Sequence, residues 1–174
     1  MRVRATAIPE VLIIEPDIFT DKRGFFMETY HEKRYRELGI DVTFVQDNLA
    51  YSIKGTLRGL HYQHPNGQAK LIQTIQGEIF DVAVDIRSGS ATFGNWVGEI
   101  LSDTNKKQLF IPAGFAHGYC VLSNTALVTY KCSTFYSPED EKGILWSDPV
   151  LNIEWPLQNP LVSEKDQFLP TIKS

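Results

Sequence analysis

The residues best suited to chemistry in this chain are the histidines of two short motifs, G-T-L-R-G-L-H at residues 55–61 and P-A-G-F-A-H at residues 112–117. A small β-barrel that binds a transition metal would supply His-x-His and a nearby Glu from one strand pair. It would add a third His from a later Pro-x-Gly-x-x-His turn. Here that turn ends in His117, but the position two after His61 is Gln63, and positions 65–68 hold no acid. Because Gln is a poor ligand for transition metals, the pattern predicts a pocket for metal-free acid/base chemistry.

Length and composition bound the class of protein. A chain of 174 residues fits one domain, residues 1–174, and is long enough to bury a large core. The net charge of −4 argues against nucleic acid as the main partner. No apolar run approaches the ~20 residues that cross a bilayer. Cys120 and Cys132 are the only cysteines, and with no secretory leader they indicate reduced thiols in a soluble cytoplasmic protein.

Short apolar runs separated by turn residues indicate many short strands. Some alternate with period two, as in residues 79–86, where Asp81 and Asp85 share one face and apolar residues the other. Residues 29–38, followed by Gly39, form the one predicted helix. The pattern favours an all-β antiparallel jelly-roll sandwich or barrel with few short helices, and an extended tail from residue 147. The predicted strands are residues 11–14, 25–28, 71–75, 78–86, 96–101, 108–111, 118–122 and 126–134.

The His61 segment reads as a strand at the mouth of the predicted barrel. If His117 enters from the opposite turn, two imidazoles share one cavity. Arg58 and Lys70 flank this strand; an arginine fork suits a diphosphate, and a desolvated lysine can stabilise an oxyanion. Strand parity places Arg58 and His61 on opposite faces. We therefore hypothesise a bulge near Gly59, which would bring the two side chains together.

The remaining candidates have ordinary structural explanations when the residues alone are considered. Tyr130 lies in a predicted core strand on the same face as Val128 and Cys132, where a tyrosine is usually an amphipathic core residue. Arg23 and Lys165 are isolated cations, which are usually solvated at the surface.

Six sequence motifs, which occur in the family's order, resemble the dTDP-4-dehydrorhamnose 3,5-epimerase family of cupins. They span nearly the whole chain, which makes chance similarity a poor explanation. The motifs are residues 55–63 (G-T-L-R-G-L-H-Y-Q), 77–87 (G-E-I-F-D-V-A-V-D-I-R), 92–96 (T-F-G-N-W), 111–118 (I-P-A-G-F-A-H-G), 143–149 (G-I-L-W-S-D-P) and 163–166 (S-E-K-D).

The resemblance implies a reaction and a role for each catalytic residue. The substrate would be dTDP-4-keto-6-deoxy-D-glucose, whose C4 carbonyl acidifies the hydrogens at C3 and C5. In the family the histidine of L-H-Y-Q, here His61, is the base, and the tyrosine before Lys-Cys, here Tyr130, is the acid. The aspartate that closes S-E-K-D, here Asp166, orients the histidine and makes it a stronger base. Lys70 would stabilise the enolate and His117 would contact the substrate; no cofactor is implied.

The resemblance also implies a nucleotide-sugar site and a dimer. Tyr136 matches the aromatic residue that stacks on thymine. N-terminal strands cross to the partner in a homodimer, so Arg23 and Glu28 are expected to complete the neighbour's site. The residues expected to line the site are Arg23, Glu28, Gln46, Asp47, Asn48, Arg58, Glu141 and Lys165.

Three alternatives stay open at this point. A mono-epimerase that acts at C3 or C5 alone on a related dTDP-4-keto-deoxysugar would keep the same base and acid. A metal-dependent cupin isomerase or oxygenase is disfavoured by Gln63. A catalytically silent sugar-nucleotide-binding protein is disfavoured by the four catalytic candidates. The preference for thymine over uracil and the setting in dTDP-rhamnose and polysaccharide biosynthesis rest on the resemblance.

Overall fold

The computed structural model describes residues 1–173, which form strands and two short helices. The strands are β1 (Arg2–Ala5), β2 (Leu12–Glu15), β3 (Ile18–Asp21), β4 (Gly24–Met27), β5 (Gln46–Ile53), β6 (Thr56–Gln63), β7 (Lys70–Gln76), β8 (Glu78–Asp85), β9 (Trp96–Ser102), β10 (Gln108–Ile111), β11 (Phe115–Val121), β12 (Thr125–Cys132), β13 (Glu141–Gly143) and β14 (Leu161–Val162). The helices are α1 (Glu32–Glu37) and α2 (Glu164–Gln167).

Two sheets pack face to face. One has the strand order β1-β2-β10-β7-β12-β5, and the other has the order β13-β6-β11-β8-β9, with β14 beside β6. All pairs are antiparallel except β14 with β6. The main core lies between the sheets and contains Ile72 and Val128 from one and Ile79 and Val121 from the other. The predicted all-β jelly roll with few helices is confirmed.

Strand β8 is buried on both faces. Asp81 and Asp85 share the inner face, as the alternation predicts, and neither is accessible to solvent. Val82 and Val84 point outward and are covered by an outer apolar cluster to which the C-terminal tail contributes Leu151. The tail packs in extended form there, as predicted, but α2 was not predicted within it. Four helical residues give too little periodicity to recognise.

The predicted helix at residues 29–38 is shorter in the structure. Helix α1 covers Glu32–Glu37 and packs with its buried Tyr35 into a second core cluster. The preceding His31 provides no side-chain cap among the described residues. Residue Gly39 ends the helical turn with φ +91°, as the sequence indicates.

Strand β5 was not among the predicted strands, although it forms one edge of the first sheet. Its outward face is apolar but exposed: Leu49, Tyr51 and Ile53 are each more than half accessible. Neither of the two helices in residues 1–173 is long enough or apolar enough to span a bilayer.

Candidate active site

A bulge at Gly59 in β6 shapes the floor of the candidate site. The pairing of β11 with β6 shifts register there: His117 lies opposite His61, whereas Tyr119 lies opposite Arg58. One residue of β11 thus faces two of β6. Gly59 has φ +120°, and a Cβ on it would lie 2.6 Å from the Cα of Gly118. The hypothesised bulge is confirmed, and it turns Arg58 and His61 toward one cavity.

That cavity has a volume of about 490 Å³, and we call it the catalytic cavity. It opens between the two sheets and gathers polar side chains from β6, β7, β11, β12 and α2. The residues that line it include Arg58, His61, Lys70, His117, Tyr119, Tyr130 and Asp166. All four predicted catalytic residues are therefore brought together.

His61 and Asp166 form a hydrogen-bonded pair. His61 Nε2 lies 2.7 Å from Asp166 Oδ1, and Asp166 Oδ2 accepts from the backbone N–H of Gly59 at 3.3 Å. The Ser163 hydroxyl caps α2 and accepts from the Asp166 N–H, which fixes the helix turn that carries this carboxylate. Burial tends to raise the pKa of Asp166, but the hydrogen bond and the charge of His61, together with the hydrogen bond from the Gly59 N–H, outweigh burial and lower the pKa. An ionised carboxylate only accepts, so Nε2 carries the proton and Nδ1 is the free basic nitrogen.

A second histidine–carboxylate pair lies beside the first. His117 Nε2 is 2.9 Å from Asp81 Oδ2, and both side chains are buried. Burial lowers the pKa of His117, although the Asp81 carboxylate opposes the shift. Asp81 was not among the predicted site residues. The alternation of β8 groups Asp81 with Asp85 on one face, but only the fold shows that this face is interior, where β8 pairs with β11.

Lys70 and Tyr130 lie on adjacent strands, at the same side of the catalytic cavity. Burial lowers the pKa of the Lys70 ammonium, while the neighbouring Cys132, Asp81 and Glu141 oppose the shift. Burial raises the pKa of the Tyr130 hydroxyl, so it stays protonated near neutral pH. Tyr130 also packs against the main core, which is the structural role expected from its strand. The site thus holds a protonated phenol and a desolvated lysine together with a histidine base.

A second cavity of about 310 Å³ adjoins the first and shares His61, Lys70 and Tyr130 with it. We call it the outer cavity. Tyr136 donates its hydroxyl proton to Glu141 at 2.7 Å, and Lys165 lies 2.5 Å from the same carboxylate. Burial tends to raise the pKa of Glu141, but the bonds from Lys165 and Tyr136 hold it below its usual range. The predicted binding residues that line this cavity are Gln46, Asn48, Tyr136 and Glu141.

Four predicted binding residues line neither cavity: Lys165 reaches the outer cavity only through its ion pair with Glu141, and the other three lie elsewhere in the single chain. Asp47 is on the opposite side of β5 from its neighbours, exposed and paired with Lys131 at 2.9 Å, so the structure does not bring it to the two cavities. Strand alternation is the reason, since Gln46 and Asn48 share the inner face. Arg23 lies in the β3–β4 hairpin, paired with Asp21, and Glu28 pairs with Arg34.

Comparison with known proteins identifies the family. The family model described as dTDP-4-dehydrorhamnose 3,5-epimerase matches residues 5–174. The chain belongs to the dTDP-4-dehydrorhamnose 3,5-epimerase family. It is 60% identical over 168 residues to the enzyme of that name from Shigella flexneri, covering 95% of this chain and 93% of that one.

Solved structures of the epimerase family have the same fold. A dTDP-6-deoxy-D-glucose-3,5-epimerase from Legionella pneumophila, in complex with dTDP-4-keto-L-rhamnose, superposes with a TM-score of 0.96 at 53% identity. The superposition covers 98% of this chain and 92% of the Legionella chain. A dTDP-4-dehydrorhamnose 3-epimerase from Streptomyces niveus is 40% identical over 169 residues, covering 96% of this chain and 82% of that one. The resemblance based on motifs and the predicted cupin fold are confirmed.

Proposed function

We propose that this chain is an isomerase that inverts C3 and C5 of dTDP-4-keto-6-deoxy-D-glucose to give dTDP-4-keto-L-rhamnose. The observation that carries this is the catalytic cavity, where the His61–Asp166 pair, Lys70 and Tyr130 line one space. Membership of the 3,5-epimerase family gives the reaction class, and the cavity supplies an acid and a base for it.

The reaction begins with proton abstraction by His61. Nδ1 takes the hydrogen from a carbon beside the C4 ketone, and the electron pair of that C–H bond moves into the enolate. The imidazolium that forms is stabilised by the Asp166 carboxylate at 2.7 Å. This pair also fixes the ring orientation, so the base is positioned before the substrate binds.

Lys70 and Tyr130 complete the inversion. Lys70, whose side chain is partly buried, would place its ammonium at the carbonyl oxygen, where negative charge develops. Tyr130 returns a proton to the carbon from the other face. The His61 imidazolium then releases its proton to water and the tyrosinate recovers one, so that base and acid are both restored. Each placed acid or base contributes roughly 10²–10⁴-fold. The same cycle repeated at the second carbon gives the double epimer.

The nucleotide end of the substrate fits the outer cavity. Tyr136 offers a half-exposed aromatic ring for the base. Arg58 at the adjoining catalytic cavity and Lys165, which is paired with Glu141 of the outer cavity, supply cations for the diphosphate. The Arg58 guanidinium donates to Ser52 Oγ at 3.0 Å and to the carbonyl of Tyr51 at 3.3 Å. This places a planar fork at the wall of the catalytic cavity.

We further propose that the active form is a homodimer with N-terminal strand exchange. The support is the apolar exposure of the β5 edge and of the β3–β4 hairpin, where Phe19, Phe25 and Phe26 are each more than half accessible. Pairing these surfaces between two copies would bring Arg23 and Glu28 to the partner's outer cavity. Asp47, which faces outward, would then also lie near the interface.

The deciding experiment is incubation with dTDP-4-keto-6-deoxy-D-glucose and a chelator in deuterated water, followed by NMR of C3 and C5. Deuterium at both carbons with conversion to the L-lyxo sugar supports the proposal. Label at one carbon would favour the mono-epimerase, since the Streptomyces niveus relative is named as a 3-epimerase. Activity that needs added metal would favour a metal-dependent enzyme, and nucleotide binding without exchange would favour a silent binding protein.

Two variants test the assigned roles. His61→Ala is expected to abolish exchange at both carbons while dTDP binding stays nearly unchanged. His31→Ala, at an exposed histidine outside both cavities, is the matched control and should keep wild-type turnover. Tyr130→Phe should spare proton removal but impair the return of a proton to the opposite face of the sugar. Deuterium exchange should therefore continue while conversion to the inverted sugar is lost. Wild-type turnover of His61→Ala would show that another group is the base.

A further inference from the structure

Gln63 occupies the position where a metal-binding barrel would carry its second histidine, and the structure gives its side chain a different task. The residue is 6% exposed. Its amide nitrogen donates to the carbonyls of Asn66 at 3.1 Å and Phe135 at 3.3 Å, and its oxygen accepts from the N–H of Ser137 at 2.8 Å. One amide thus joins the loop after β6 to the loop after β12.

The bonded groups bracket Tyr136. The Gln63 side chain is hydrogen-bonded to Phe135 and Ser137, the residues before and after Tyr136. Gln46 Oε1 accepts from the N–H of Tyr136 itself at 2.9 Å. The hydroxyl of Tyr136 is held by Glu141. Two glutamine side chains therefore hold three consecutive backbone residues, and the tyrosine ring is fixed at both ends.

Apolar packing contributes little to this loop. Phe135 is 70% exposed and Tyr136 is 51% exposed, so their rings are available to solvent or ligand. A half-exposed ring is ordinarily free to move. Here the loop's orientation depends on hydrogen bonds, among which those of Gln63 are shielded from water.

The chemistry of the amide explains why glutamine suits this position. The site requires two donated bonds and one accepted bond, and a glutamine side chain supplies both kinds from one planar group. A glutamate keeps only the acceptor, and a methionine of similar shape keeps neither.

We propose that Gln63 is a positioning residue for nucleobase recognition: it holds Tyr136 in place so that the ring is ready to stack on the base. This inference rests on the proposed function, because it takes the outer cavity as the nucleotide site. Gln63 acts through Tyr136 and has no part in proton transfer. Loss of its bonds leaves the His61–Asp166 pair intact and makes the nucleotide order the loop as it binds.

The test is a double-mutant cycle on dTDP affinity measured by calorimetry. Stacking of a base on an aromatic ring accounts for roughly a 5- to 150-fold gain in affinity, and we expect Gln63→Met to lose part of it, about tenfold in Kd. In a Tyr136→Ala background the same substitution should change Kd less than about twofold, because the residue through which it acts is gone. The kcat for the saturating substrate should stay within about threefold, while KM rises.

Controls separate this role from general destabilisation. Asn105 makes three comparable amide bonds in the turn between β9 and β10, to the backbone of Ser102, Ile100 and Lys107. Asn105→Leu should lower the melting temperature without changing the Kd for dTDP. Gln63→Glu, which keeps the bond from the Ser137 N–H, serves if Gln63→Met does not fold, and it too should weaken dTDP binding.

The outcomes distinguish the two proposals. If the wild-type protein does not bind dTDP, the proposed function fails. If wild-type binding is normal and both Gln63 variants bind dTDP as tightly, the positioning role is wrong. An equal loss of affinity with and without Tyr136 also overturns it, since Gln63 would then act by another route.

Discussion

Replacement of Asp166 by asparagine is the sharpest test of the acid/base arrangement. The side chain keeps its shape but loses its charge, and its two oxygens have distinct partners in the structure. Oδ1 lies 2.7 Å from His61 Nε2, and Oδ2 accepts from the Gly59 N–H at 3.3 Å. An asparagine offers one acceptor and one donor, so it cannot serve both partners.

Each orientation of the new amide has a defined cost. With the amide oxygen toward His61, the NH₂ group faces the Gly59 N–H, and two donors meet in a buried site. With the oxygen toward Gly59, the NH₂ group faces Nε2, so the imidazole proton moves to Nδ1 and the catalytic lone pair is lost.

The expected loss follows from these terms. A hydrogen bond to a charged group contributes about 1.5–3 kcal/mol, which corresponds to roughly 10- to 150-fold in rate. Loss of the correct tautomer in comparable histidine–aspartate pairs raises the cost to about 10⁴-fold. We therefore expect the rate of deuterium exchange at C3 and C5 to fall by roughly 10- to 10⁴-fold, with little change in the Kd for dTDP.

The assay is single-turnover exchange in deuterated water, followed by NMR. Asp148→Asn is the matched control, because Asp148 is equally buried and accepts from the backbone N–H groups of Val150, Leu151 and Ile172 outside the cavities. It should lower stability but leave exchange within a few-fold of wild type. Exchange by Asp166→Asn at more than a tenth of the wild-type rate would refute the assigned role.

Three further predictions concern pH, backbone geometry and assembly. Because burial lowers the pKa of Lys70 and raises that of Tyr130, activity should decline on the alkaline side below the usual lysine range, and Lys70→Arg, if active, should move that decline upward in a pH–rate profile. Gly59→Ala should lower the free energy of unfolding, measured by urea titration, by at least about 2 kcal/mol more than Gly89→Ala does. Both positions have positive φ, but only at Gly59 would a Cβ meet neighbouring backbone, and equal effects would contradict the bulge argument. Phe26→Asp should convert a dimer to monomer in sedimentation experiments and lower activity, and a fully active monomer would argue against a shared site.

The burial that lowers the pKa of Lys70 also makes the stability of the fold depend on pH. A lysine whose folded pKa is lowered binds fewer protons in the folded state than in the unfolded state between the two pKa values. Stability therefore rises with pH across that interval. The Lys70→Met variant should lose this pH dependence in thermal unfolding, whereas a pH slope like that of the wild type would assign it to other groups.

The sequence by itself determined the chemistry and the fold class. Two histidines with Gln63 at the second ligand position predicted a metal-free acid/base site, and six ordered motifs pointed to the family. Period-two alternation in β8 placed Asp81 on one face with Asp85 because side chains alternate along any strand. A local pattern of that kind can be read without knowledge of partners.

The bulge near Gly59 was hypothesised and the partnership of Asp166 with His61 was implied by the resemblance, but only the tertiary structure shows which of these residues meet. Alternation could not say that the face carrying Asp81 is interior, since both faces of β8 are covered, and so its pairing with His117 was missed. The bulge at Gly59 required the register of β6 against β11. Asp166 reaches His61 across 105 positions of sequence, carried by a one-turn helix too short to predict. Non-local pairing fixes such contacts, and a single sequence contains no measurement of it.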